Sequence, residues 1–156
     1  MEFDELMRTF AAESGIPDLR PDRSGVYALA FDEMQVDFSS DPKRGELVFA
    51  GEVGALPQSG QTEFLQLLME AMFVGRTTAG AMFALKPDSD RLVFRLAEPL
   101  ELLTAFRFRE VLERFVNMLE KWRRVLADYL LIGEEIERRH SVPDGNLSGG
   151  DFVNMV

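Results

Sequence analysis

The chain has 156 residues, 46% of them hydrophobic and 28% charged, enough for one domain whose core needs no metal or disulfide to hold it. It has no cysteine, which excludes disulfides, thiolate–metal sites and a cysteine nucleophile. A net charge of −10 disfavours nucleic acid, whose phosphates require a positive field, and suits solubility or attraction of basic segments of other proteins.

Met1-Glu2-Phe3-Asp4-Glu5 is acidic and amphipathic, the opposite of a secretory leader, and the apolar runs fall far short of the ~20 residues that span a bilayer. The reading is a cytoplasmic protein with no membrane partner. Phe3, Leu6, Met7, Phe10 and Ala11 recur at spacings of three and four, predicting a helix over 2–14 that stops at Ser14-Gly15.

Three strands follow. Val26–Phe31 is almost wholly apolar, as in a strand covered on both faces. Glu33–Ser39 alternates, with Met34, Val36 and Phe38 on one face, and only Asp32-Glu33 separates the two runs, so they form a tight hairpin. Asp41-Pro42-Lys43-Arg44-Gly45 is a turn, and Glu46–Val53 is the third strand, with Gly51 marking a bulge or a close backbone approach.

Thr62 is the expected cap of a helix running to Val74. Only Glu63, Gln66 and Glu70 interrupt its apolar residues, so it lacks the single stripe of a surface helix and requires contacts on two sides, its own sheet and a partner. Ala81–Lys86 and Arg91–Ala97 form a hairpin around Pro87-Asp88-Ser89-Asp90. A long helix over 104–131 follows. Its seam of Phe108, Leu112, Phe115, Leu119, Trp122, Leu126 and Tyr129 steps by four and three and is about 32 Å long at 1.5 Å per residue. Residues 133–139 extend it as a charged tip, and 141–156, with Pro143 and three glycines, read as a flexible tail. The order α-β-β-β-α-β-β-α implies an α+β fold, a twisted antiparallel sheet packed by helices, with one domain over 1–132 and an appendage over 133–156.

Chemistry is hard to assemble from these residues. The single histidine, His140, sits in a charged run without partners for acid–base work or zinc. Asp41, Asp88 and Asp90 lie in turns, where carboxylates cap local backbone groups, and Asp88-Ser89-Asp90 lacks the later glycine and glutamate of a calcium loop. The glycines form no phosphate-binding pattern. The sequence therefore predicts no enzyme, no cofactor and no metal. A site of carboxylates and backbone alone is the enzymatic alternative, and a saturable small ligand would favour it.

Several strings in order resemble the class I type III secretion chaperones, the Tir-chaperone family. Phe10 with Gly15-Ile16 and Leu19 is similar to that family's first helix and loop, and Gly51-Glu52-Val53-Gly54-Ala55-Leu56-Pro57 to its strand-to-helix link. Phe64–Met72 resembles the helix that follows, Ala81–Leu85 and Arg91–Leu96 the last two strands, and Phe115–Trp122 the end helix. The resemblance spans about 3–130 and departs from the family at Met72-Phe73-Val74, where a polar residue is common.

The resemblance implies a homodimeric chaperone that binds the N-terminal region of a secreted effector and keeps it extended, soluble and export-competent, without nucleotide. Strand addition at a free sheet edge and apolar grooves are the physical means. Leu6, Phe10, Leu19, Met34, Val36 and Phe38 are the expected effector-binding residues; Leu68, Met69, Met72 and Phe73, with Phe83 and Phe94, are the expected dimer interface. The alternative is an interaction or regulatory module of the same fold with no secretion client.

Overall fold

A computed structural model describes residues 1–141. In chain order the elements are α1 (Phe3–Glu13), β1 (Tyr27–Phe31), β2 (Met34–Asp41), β3 (Glu46–Ala55), α2 (Gln61–Val74), β4 (Met82–Leu85), β5 (Arg91–Pro99), a single 3₁₀ turn (Leu100–Leu102) and α3 (Ala105–Ser141). This is the expected α+β order. The five strands form one sheet in the order β1-β2-β3-β5-β4, every neighbouring pair antiparallel.

Local chemistry explains most boundaries. Asp32-Glu33 closes the β1–β2 hairpin, with Asp32 at φ 53°, a conformation that aspartate tolerates. The Asp41 carboxylate accepts the Lys43 N–H at 3.1 Å and so folds the β2–β3 turn. Thr104 Oγ1 accepts the Arg107 N–H at 3.1 Å, a side-chain cap at the start of α3. Thr62 is not the cap of α2: the helix starts at Gln61, behind a left-handed Gly60 whose carbonyl accepts the Tyr129 hydroxyl.

One face of the sheet is dry. The register sets Phe38 beside Phe49, Val36 beside Gly51, and Gly51 beside Phe94, so these residues share a face. α3 lies across it. Phe108 stacks on Phe49 at 5.4 Å and Phe115 on Phe94 at 5.3 Å, while Phe10 of α1 meets Phe108 edge-on at 4.8 Å. At Gly51 the approach is closest: a Cβ there would lie within 2.4 Å of Leu119 Cδ2, so α3 sits on bare backbone. The bulge falls between Glu52 and Gly54.

α3 continues from the stretch expected over 104–131 through the charged tip at 133–139, to Ser141. Its last turns carry i,i+3 and i,i+4 pairs from Glu135 to Arg138 and Arg139, and no proline interrupts them. The expected tail, apart from Ser141, lies outside the described residues.

Candidate interaction surfaces

The residues expected to line a client groove are mostly core. Leu6, Val36 and Phe38 are fully buried, and Phe10 and Met34 nearly so; only Leu19 is half-buried. The expectation of an open groove lined by those five is corrected by the packing: α1 lies against α3, with Phe10 on Phe108, and Phe38 of β2 packs on the same Phe108, so these side chains are covered within the subunit. Beside them, Ile16, Leu19, Leu29 and Phe31 reach the surface as half-buried residues packed on that core.

The residues expected at the dimer interface divide in the same way. Leu68 and Phe94 belong to the core, so neither is available to a partner in the folded subunit, and Met72 and Phe83 are half-buried. Met69 is 67% exposed and Phe73 94%. Leu67, Val74, Met82 and Leu85, which sequence reasoning did not single out, are exposed as well, with Met82 and Leu85 on opposite faces of β4. The scarcity of polar residues in α2 was the signal that could have found Leu67 and Val74. For Met82 and Leu85 the signal was an uncharged strand. Leu65, Met69, Phe73 and Val74 line a shallow apolar hollow of about 840 Å³ along α2.

The sheet ends in two uncharged edge strands, Tyr27-Ala28-Leu29-Ala30-Phe31 and Met82-Phe83-Ala84-Leu85. Neither carries the lysine, proline or bulge that usually blunts an edge. α2 partly occupies the β4 edge, because the Phe83 N–H donates to Met72 Sδ at 3.2 Å. β1 pairs only with β2 and presents its outer edge unpaired among the described residues.

On the sheet face away from α3, Glu52 accepts hydrogen bonds from Arg91 and from Lys86 Nζ, the latter at 3.1 Å. These donors hold its carboxyl down at about 2. Burial and the hydrogen bond donated to Asp4 at 2.7 Å push the Tyr27 hydroxyl up to about 12. Both networks tie strands and α1 together. Among the described residues no three His, Asp or Glu converge as metal ligands, and no helix is long and apolar enough to cross a membrane.

Comparison with known proteins agrees with this architecture. The model of the Tir chaperone protein (CesT) family matches residues 5–123, from α1 through the sheet to the middle of α3. A Chlamydia pneumoniae protein designated CPj0713/CpB0740 is 30% identical over 122 residues, covering 76% of this chain and 92% of its own length. Among solved structures, the ExsC–ExsE complex superposes with a TM-score of 0.68 at 20% identity, over 81% of this chain and 97% of that one. The Yersinia pestis type III secretion chaperone SycH, in complex with a fragment of YscM2, gives 0.60 at 20% identity over 78% and 99%. The HopA1–SchA chaperone–effector complex gives 0.63 at 20% identity over 81% and 93%. These structural likenesses bear on the fold. The family match extends over most of the chain, and the protein belongs to the Tir chaperone protein (CesT) family.

Proposed function

We propose that this chain is a type III secretion chaperone that acts as a homodimer in the cytoplasm, without catalysis. It holds the N-terminal segment of a secreted effector extended and export-competent. The observation that carries the reading is the division of apolar surface between two separate places: the α2 flank of Leu65, Met69, Phe73 and Val74, and the open β1 edge with its half-buried Ile16, Leu19, Leu29 and Phe31.

A self-complementary apolar patch is what a two-fold dimer requires, and methionine suits such contacts because its side chain adapts. The β1 edge suits a different guest. Main-chain hydrogen bonds to an added strand supply affinity with little demand on sequence, and the half-buried side chains beside it accept alternate residues of that strand. An extended guest loses conformational entropy on docking, so both contributions are needed to retain it. The family and the complexes formed by SycH and SchA support a protein guest over a small ligand.

Two measurements test this. Light scattering on the purified protein should give twice the mass of one chain; a monomer at micromolar concentration would remove the dimer from the proposal. Affinity capture from the native host, read by mass spectrometry, should return one or a few secreted proteins bound through their N-terminal regions. Capture of only cytoplasmic regulators would favour a non-secretory interaction module.

A further inference from the structure

The apolar seam of α3 outlasts the sheet beneath it. Leu126 lies over Gly54, where a Cβ would come within 2.9 Å of its Cδ2, and the Tyr129 hydroxyl bonds the Gly60 carbonyl at 3.1 Å. The same four-and-three spacing next reaches Gly133, beyond the stretch matched by the family. There the helix overhangs the β3–α2 connection and leaves a cleft of about 320 Å³. Pro57, Tyr129 and Gly133 line its floor, and Asp90, Glu134 and Glu137 stand around it.

Two features of this cleft have no use within the subunit. First, glycine inside a helix costs about 1 kcal/mol relative to alanine. Nothing in the fold requires it at 133: its φ is not positive, and no atom lies within 4 Å of where a Cβ would be. What the missing side chain does is leave the cleft open to the backbone. Second, the charges at the tip are sorted. Glu135 pairs with Arg138 and Arg139, whereas Asp90, Glu134 and Glu137 have no ion-pair partner among the described residues. Apolar surface from Pro57 and Tyr129 beside three unpaired carboxylates attracts a cation that also brings apolar surface.

We propose that this cleft is a docking site for an extended lysine- or arginine-bearing segment of a partner protein. The apolar stem of the basic side chain lies on Tyr129 and Pro57, its charged head meets Glu134, Glu137 and Asp90, and the segment's backbone passes over Gly133. The site is separate from the α2 flank and the β1 edge, and it holds whether or not the partner is the guest held there.

The probe is a fluorescein-labelled peptide of alternating Arg, Leu and Gly, titrated into the full chain by anisotropy and mapped by amide chemical shifts. The expected result is shifts confined to 55–60, 90 and 129–137. Gly133→Leu, which fills the cleft without altering charge, should weaken binding at least about tenfold. The double change Glu134→Gln with Glu137→Gln should do the same. The control, Glu5→Gln with Glu113→Gln, removes equal charge from exposed positions elsewhere and should leave binding unchanged. Helicity by circular dichroism and mass by light scattering should stay as in the parent for every variant, which separates this site from the dimer. An equal loss in the control would reduce the effect to attraction by an acidic protein and overturn the assignment. Shifts at β1 would overturn it as well, and so would spermidine displacing the peptide at equal concentration, since the cleft would then be a small-cation site.

Discussion

α1 and α2 are both short helices, of 11 and 14 residues, but they spend their apolar residues in opposite ways. α1 has one stripe, and all of it, Phe3, Leu6, Met7, Phe10 and Ala11, is buried. α2 is apolar around most of its circumference yet buries only Phe64 and Leu68. A helix with one stripe is satisfied within its own subunit, as α1 is against α3 and Tyr27. A helix without a stripe keeps a surplus, and in the proposed dimer that surplus is the surface offered to another chain. The same contrast divides the two sheet edges: β4 is partly taken up by α2, and β1 is left open.

Substitutions can break or sharpen the contrast. The largest effect belongs to the buried core that α1 and α3 share with the sheet. Phe38→Ala should destabilise the subunit by about 3–5 kcal/mol in urea unfolding, because it empties a fully buried site between the sheet and α3. If the variant kept its stability and lost only its guest, Phe38 would return to the binding surface. On the α2 side, Phe73→Asp should raise the dimer dissociation constant by about a hundredfold, roughly 2.7 kcal/mol, with far-UV circular dichroism unchanged. Leu68→Asp should instead unfold the chain, since its side chain is core. Were the two to behave alike, α2 would have no separate outer face.

Smaller effects test the contacts that join these regions. Gly54→Ala should cost about 1–3 kcal/mol, because φ is 149° and Leu126 Cδ2 occupies the space a Cβ would need. Tyr27→Phe, which removes the bond from β1 to Asp4 of α1, should cost about 1 kcal/mol. The hydroxyl titrates at about 12 in the fold and near 10 when unfolded. Its contribution is therefore fully present below pH ~10 and disappears as pH rises towards 12. The phenylalanine variant should lack that alkaline decline. The smallest effect is at Glu52, held at about 2 by Arg91 and Lys86. Its contribution is present above the unfolded value near pH 4.3 and is lost as pH falls towards 2. With its side chain 33% exposed, it should amount to less than about 1 kcal/mol, read as a shallower acid slope in Glu52→Gln.

The element order was legible because periodicity is a local property. Alternation at Met34, Val36 and Phe38 marks a strand, and the four-and-three seam from Phe108 to Tyr129 marks a helix, whatever lies nearby. Sites were less legible. Phe38 and Met69 are both apolar residues in regular elements, and nothing in either neighbourhood tells which one faces a sister element. Leu68 and Met69 are adjacent, yet one is core and the other surface. At the end of α3 the apolar seam stops at Tyr129, and the Glu135 pairs sustain the helix through the charged tip to Ser141.

The sequence alone determined the fold class, the excess of apolar residues in α2, and the absence of thiol chemistry, because composition and spacing are properties of the chain itself. Only the tertiary structure decided which apolar residues remain exposed. Burial depends on strand register and helix placement between residues distant in sequence: Val36 opposite Gly51, Gly51 beneath Leu119, and Tyr129 over Gly60. Those pairings send Phe38 inward and leave Phe73 outside.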